Sequence, residues 1–389
     1  MPSLMKKIKI AYCLPSLHLI GGMERVLTTK ANFLADKMNY EVYIILTDGN
    51  NKKPYFEISP KIRIINLDIN FELLYKAGLV KRILQYLQKQ YLYRKRLTQT
   101  LLDIRPDITI SMLRREINFI NSIKDGSLKI GEIHFSRNNY RQLKGTNILK
   151  KIISQIWMRS LINQLKKLDQ FVVLSQKDKE NWPELKKVSV IYNPLSFYPE
   201  TSSNVQNKEV VAAGRHSYDK GFDLLAEAWK FVNEIHPDWH LKIYGAGNAD
   251  GLKQQVTELN LDRSCQVLPP SENISAKFIE SSIFALSSRF EGFGLVLIEA
   301  MSCGLPPVSF DCPFGPREII KDREDGFLVE NGNVKALAEK ICFLIENEEI
   351  RKEIGQKART NVERFKIERI MTQWDALFNT LLETKARNI

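Results

Sequence analysis

The sequence predicts an α/β protein built from two consecutive Rossmann-like domains, and three observations predict it. Short apolar runs alternate with longer amphipathic segments along the whole chain. That alternation breaks once, at Asn193-Pro-Leu-Ser-Phe-Tyr-Pro-Glu-Thr-Ser-Ser-Asn204, which reads as an inter-domain linker. A length of 389 residues is more than one hydrophobic core takes, at roughly 150 residues per domain.

The first set places strands at Ile8–Leu14, Val42–Leu46, Ile62–Leu67, Ile108–Met112, Lys129–Ile133 and Gln170–Leu174. Met23–Lys37 and Leu73–Leu102 are its helices. In the second set the strands are Val210–Ala213, His240–Tyr244, Cys265–Leu268, Ile283–Ser287, Pro307–Phe310 and Gly326–Val329. Phe222–Ile235 is helical there, and further helices start near Gly294, Pro316 and Asn333. Two such sets imply two domains facing a ligand cleft, with binding groups just beyond the carboxyl ends of the strands.

Hydrophobic content of 44% and charged content of 26% are ordinary for a soluble globular chain. No apolar run approaches the roughly 20 residues of a membrane span, and the start lacks the apolar stretch and cleavage site of a signal peptide. Cys13, Cys265, Cys303, Cys312 and Cys342 are scattered and odd in number, which points to reduced, buried thiols in the cytoplasm. Charge is uneven: Ile69 to Leu168 holds 20 Lys and Arg against 6 Asp and Glu, a local +14 in a chain of +12. A basic region of that size suits phosphates, an anionic membrane surface or nucleic acid.

Five constellations carry chemistry. Gly21-Gly22-Met23-Glu24-Arg25 closes the first loop and opens a helix, where glycines and free N–H groups admit a phosphate or simply cap a flexible loop. Arg215 ends a strand and Lys220 follows five residues later, two cations able to neutralise a diphosphate or to sit solvated. Arg289-Phe-Glu-Gly-Phe-Gly-Leu-Val-Leu-Ile-Glu299 puts Glu291 in a Gly-rich loop and Glu299 inside an apolar helix. A carboxylate there needs donors, from a ribose or from a structural ion pair. Asp311-Cys-Pro-Phe-Gly-Pro-Arg-Glu318 is a turn into a helix and a wall of the cleft. His134, in Gly131-Glu-Ile-His, lies just past a strand, as a packed residue or a catalytic one. Gly245-Ala-Gly247 is discounted as a dinucleotide fingerprint because Asp250 stands where the third glycine belongs.

Jointly, Gly-Gly-x-Glu-Arg at 21–25, Arg215-x4-Lys220 and Glu291-x7-Glu299 resemble the retaining glycosyltransferases of family 4, over essentially the full chain. Ser288–Gly304 with Asp311–Glu318 is most similar to members that build bacterial surface polysaccharides and lipid-linked glycans. The resemblance implies the GT-B fold: an acceptor domain 1–195, a nucleotide-sugar domain 196–369, and a helix 370–389 crossing back to the first. It implies Arg215 and Lys220 on the donor diphosphate and Glu299 on the ribose. Glu291 would contact the transferred sugar near the backbone of Phe293, Gly294 and Leu295; Gly21 and Gly22 would approach the phosphates, and His134 would stand near the reacting sugar. The implied donor is a UDP-hexose or UDP-N-acetylhexosamine, with no cofactor and no metal. Two positions depart from the pattern: Pro269-Pro270 where a Gly is usual, and Leu305-Pro-Pro-Val308 at a turn.

The segments Phe71–Arg96 and Asn147–Leu168 mix apolar and aromatic residues with cations at helical spacing. They suit a pair of core-packed helices with solvated basic faces or, the reading favoured here, peripheral contact with an anionic membrane at the inner face of the cytoplasmic membrane, where a lipid-linked acceptor would be met. A sugar-nucleotide epimerase of the same fold is the rival enzyme, weakened by only five histidines. A nucleic-acid-binding role finds no supporting motif, so nucleic acid is not an expected partner.

Overall fold

The computed structural model describes residues 7–49, 52–76, 79–134, 137 and 148–387. The chain forms two compact units, one of Met1–Pro194 with Ile367–Ile389 and one of Leu195–Lys366.

In chain order the first unit contains β1 (Lys9–Leu14), α1 (Gly22–Asp36), β2 (Glu41–Leu46), β3 (Arg63–Asn66), α2 (Leu79–Ile104), β4 (Ile108–Ser111), β5 (Leu128–Glu132), α3 (Ile148–Leu165), β6 (Gln170–Val173), α4 (Gln176–Glu180) and β7 (Val188–Val190). All strand pairs are parallel, in the order β3-β2-β1-β4-β5-β6-β7. Ile10 on β1 is flanked by Val42 and Ile108, so the central strands are covered on both faces and read as unbroken apolar runs. Tyr93, Leu97 and Leu101 of α2 and Trp182 close the core below. Each such buried side chain is worth roughly 1.5–3 kcal/mol relative to exposure.

Of the expected helix Leu73–Leu102, a 3-10 turn at Phe71–Lys76 and α2 are described, and Ala77 and Gly78 lie outside the described residues. β7 was absent from the sequence reading; three residues beside two lysines at a sheet edge give no period to detect.

The second unit runs β8 (Glu209–Ala213), α5 (Phe222–Ile235), β9 (His240–Tyr244), α6 (Asp250–Glu258), β10 (Cys265–Leu268), α7 (Ile274–Ile279), β11 (Ile283–Leu286), α8 (Leu295–Ser302), β12 (Pro307–Asp311), α9 (Pro316–Ile319), β13 (Phe327–Glu330), α10 (Val334–Glu346) and α11 (Glu348–Asn361). Its parallel sheet has the order β10-β9-β8-β11-β12-β13. Trp229, Val232 and Trp239 pack with Leu337 and Ile341 of α10 on one face. Arg351, 3% exposed, makes no close ion pair among the described residues, and its guanidinium donates to the carbonyls of Leu344, Ile345 and Val205.

The last helix, α12 (Ile367–Arg387), belongs to the first unit. Trp374 and Phe378 are fully buried there, Phe378 lies against Tyr40, and Tyr40 donates to Asp375 at 2.5 Å. The return of the C-terminal helix to the first domain, expected from the sequence, is present in the fold.

Candidate functional site

Both sheets change winding direction once. In the second unit β8 leads outward to β9 and β10, while β11 leads the other way to β12 and β13. The loops leaving β8 and β11 therefore diverge and leave a crevice at the carboxyl ends of two central strands, the usual ligand position in such sheets. The loop after β8 carries Arg215 and Lys220, and the loop after β11 carries Glu291.

Topology brings these loops together, and close packing fixes them. Gly221 has φ +60, and a Cβ there would stand 2.1 Å from the Ser287 carbonyl oxygen, so only glycine permits the approach. Ser287 donates to the Lys220 carbonyl at 3.0 Å, and the Arg289 N–H donates to the Asp219 carbonyl at 2.8 Å. Arg289 also grips Asp223 through both guanidinium arms, at 2.7 and 2.6 Å, holding that carboxyl below its ordinary range. The Lys220 stem lies over Gly214, where a Cβ would meet it at 3.3 Å. Its ammonium donates to Glu291 Oε1 at 2.5 Å, and Ser288 Oγ donates to the same oxygen at 2.7 Å. Arg215 is exposed and forms no ion pair among the described residues. One cation is thus held against a carboxylate and a second stands open beside it.

Glu299 lies inside α8 and is 3% exposed. Gly294, at φ +97, caps the helix, so the Leu295 N–H falls in the first turn, where N–H groups have no partner within the helix. Phe293 is core: its ring packs edge-on to Phe365 at 5.4 Å, which leaves its backbone as the part able to meet a ligand. The 311–318 segment packs on this loop directly, since a Cβ on Gly315 would lie 2.2 Å from the Phe293 carbonyl oxygen. Burial pushes the Cys312 thiol up to about 12, with Glu291 adding to the effect, so it is an inert wall. The discounted Gly245 and Gly247 serve packing: a Cβ on Gly245 would stand 2.0 Å from the Gly214 carbonyl oxygen. His216 sits against them, and burial holds its imidazole below the ordinary value.

The first unit repeats the topology, with its switch between β1 and β4. Its two glycines differ. A Cβ on Gly21 would stand 2.1 Å from Glu24 Oε2, whereas Gly22 has nothing within 4 Å. The Glu24 carboxylate thus lies at the positive end of α1, and Gly22 is the open backbone. Across the switch, Leu113 adopts φ +51, a strained conformation for leucine, and turns Arg114 to within 3.7 Å of the Met23 sulfur. The Arg114 N–H is pinned by buried Glu116 at 2.9 Å. Sequence reasoning gave no role to Arg114, Arg289 or Asp223, because a single charge in a loop or in the first turn of a helix carries no spacing signal. His134 follows β5, its Nε2 3.0 Å from Glu132 Oε1. Phe135 and Ser136, its neighbours in the motif, lie outside the described residues.

Residues 197–361, which carry the Arg215, Lys220, Glu291 and Glu299 positions, match the family model of glycosyl transferases group 1. Over those residues the chain is similar to the group 1 glycosyl transferases. An uncharacterized glycosyltransferase of Haemophilus influenzae is 29% identical, covering 95% of this chain and 99% of its own. The amylovoran biosynthesis glycosyltransferase AmsD of Erwinia amylovora is 28% identical over the same shares. The Campylobacter jejuni N-acetylgalactosamine-N,N'-diacetylbacillosaminyl-diphospho-undecaprenol 4-alpha-N-acetylgalactosaminyltransferase is 26% identical, covering 89% of this chain and 92% of its own. Among solved structures, sucrose-phosphate synthase from Thermosynechococcus elongatus superposes with a TM-score of 0.80 at 16% identity, covering 97% and 100%. Staphylococcus aureus TarM in complex with fondaparinux, alpha-GlcNAc-glycerol and UDP does so at 0.76 and 18%, covering 96% and 100%. The chain therefore has the GT-B fold, two parallel-sheet Rossmann-like domains. Its departures Pro269-Pro270 and Leu305–Val308 flank β10 and lead into β12 without disturbing either strand.

Proposed function

We propose that this chain is a retaining family 4 enzyme that moves a hexose or N-acetylhexosamine from a UDP-sugar to a hydroxyl of a lipid-linked glycan, in surface polysaccharide assembly. The observation that carries the reading is the cation–carboxylate pair Lys220–Glu291 at the switch point of the second sheet, with open Arg215 beside it. Arg215 and Lys220 take up the charge that grows on the diphosphate as its bond to the anomeric carbon breaks. The acceptor oxygen bonds to that carbon from the face the nucleotide leaves while its proton passes to the departing diphosphate oxygen, which retains configuration. Glu291 orients the sugar hydroxyls, Glu299 accepts from the ribose, and the Gly294–Leu295 backbone donates at the helix start. Gly21 and Gly22 admit the phosphates from the first unit, with Gly22 the open position, and His134 attends the reacting sugar. Two cations on the diphosphate are why the reaction as proposed calls on no metal ion or cofactor.

The UDP choice is supported by TarM, whose complex contains UDP, and the lipid-linked acceptor by the diphospho-undecaprenol named for the Campylobacter relative. Glycosyltransferase relatives aligned over 95% of the chain favour transfer over epimerisation or nucleic-acid binding. A thermal-shift panel of UDP-, GDP-, ADP- and CDP-sugars tests the donor site. UDP-sugars are expected to stabilise the protein by about 2.7 kcal/mol at a hundredfold excess over Kd. Glu299→Ala is expected to abolish that shift. Stabilisation by another nucleotide alone overturns the UDP assignment, and a shift that survives in Glu299→Ala removes Glu299 from the site.

No helix among the described residues is long and apolar enough to cross a membrane. The basic helices nonetheless expose apolar faces: Ile83, Leu84, Leu87 and Tyr91 on α2, at 52–72% exposure, and Ile152, Ile156 and Trp157 on α3. Residues 138–147, between β5 and α3, lie outside the described residues. These faces support peripheral binding to an anionic bilayer at the cytoplasmic side. Arg96 is excluded from the test because its guanidinium holds the Leu67 carbonyl. Neutralising Lys81, Arg82, Arg94 and Lys95 is expected to leave the protein in the supernatant when anionic vesicles are sedimented. Undiminished co-sedimentation would show that α2 is not the anchor.

A further inference from the structure

We propose that Lys30 and Glu132 are positioning residues for His134, an inference that rests on placing His134 at the reacting sugar. Lys30 sits eight residues into α1 from Gly22, and Glu132 ends β5. Their side chains are 1% exposed each, and that of His134 is 5% exposed. The Lys30 ammonium donates to both oxygens of Glu132, at 2.6 and 2.7 Å, which fixes the plane of the carboxylate. Oε1 is shared: it lies 2.6 Å from Lys30 Nζ and 3.0 Å from His134 Nε2. Around the pair, Trp374 of α12 covers the ammonium at 3.9 Å, and the Tyr12 ring of β1 lies 5.9 Å from it. Among the described residues, Lys30, Glu132 and His134 are chargeable members of this pocket, with the Tyr12 and Tyr40 hydroxyls near them.

A lysine and a glutamate buried together gain little over an apolar pair that would fill the same space. What the ion pair supplies is a fixed negative charge 3.0 Å from the Nε2 of one imidazole. A carboxylate at that distance favours the tautomer with its proton on the facing nitrogen and limits how far the ring can turn. Lys30 keeps that carboxylate ionised and stationary. The chain thereby ties the ring to α1, the same helix whose first turn presents Gly22.

The test is a double-mutant cycle on the full chain: His134→Ala, Glu132→Gln and the two combined. The reaction followed is nucleotide release from the UDP-sugar that stabilises the wild type in the donor panel. His134→Ala is expected to lower kcat at least a hundredfold, as for the loss of a preorganised group at the reacting centre. Glu132→Gln is expected to lower kcat ten- to a hundredfold with donor KM unchanged, as for lost orienting partners. The double variant is expected to be no slower than His134→Ala alone. Multiplying losses, or a Glu132→Gln effect confined to KM, would overturn the inference. An unchanged rate in His134→Ala would instead overturn the role of His134 itself. Should Glu132→Gln not fold, Glu132→Asp keeps the charge that Lys30 needs while withdrawing it from the imidazole, and the same pattern is expected.

Discussion

Lys220→Ala is expected to lower kcat/KM for the nucleotide sugar by about a hundred- to a thousandfold, the cost of removing one preorganised group that faces developing charge. The ammonium is aimed by its surroundings. Its stem runs over Gly214, its carbonyl takes the Ser287 hydroxyl, and Gly221 at φ +60 seats the whole turn on the end of β11. In the structure the charge is met by Glu291 at 2.5 Å. Removing it does two things at once. In the proposed reaction the diphosphate loses a cation as its bond breaks, and Glu291 is left with Ser288 as its one remaining donor of the pair, a carboxylate facing incoming negative charge. The loss should therefore appear in kcat and in donor affinity together. Initial rates of nucleotide release across donor concentrations check this, with the thermal midpoint of the free variant reported beside them. A variant within threefold of wild type, and equally stable, would remove Lys220 from the leaving group.

Much of the fold was legible for one physical reason: strands buried on both faces must be continuous apolar runs, and loops must interrupt them. His240–Tyr244 and Cys265–Leu268 stand out to the residue because charged or Pro-containing segments flank them. Val188–Val190 does not, because an edge strand of three residues needs no such run. The site is legible in part. Arg215, Lys220, Glu291 and Glu299 stand out as charges where a strand or an apolar helix makes them unexpected. That Lys220 meets Glu291, 71 residues on, depends on β8 and β11 being neighbours, which no local pattern states. The grip of Arg289 on Asp223 is hidden likewise, and the need for Gly315 emerges only with the Phe293 carbonyl in place. Lys30 is the plainest case. In Thr-Thr-Lys-Ala on a helix it reads as a solvent residue, and its partner lies 102 positions away.

That hidden pair gives the largest stability effect expected of a single substitution. Lys30→Met is expected to cost about 3–5 kcal/mol at pH 7, the range for breaking a buried ion pair from one side. Burial pushes Glu132 up, but Lys30 first and His134 second outweigh it and hold the carboxyl at about 2, against an ordinary 4.5. A folded value below the unfolded one means that the carboxylate's contribution is present in full above pH 4.5 and fades as pH falls through 2. The same burial pulls Lys30 down from its ordinary value, so the intact pair gains little net energy while either half alone is costly. Without Lys30, burial dominates at Glu132 and its proton is retained to higher pH. The gap between variant and wild type should then be widest near neutrality and narrow toward pH 4. Urea midpoints measured at several pH values between 4 and 8 report this directly. Lys30→Met combined with Glu132→Leu should recover most of the loss, since no buried charge is then left without its partner. A single variant within about 1 kcal/mol of wild type at pH 7 would mean that water or another group already serves Glu132, and Lys30 would lose its role as the anchor of that carboxylate.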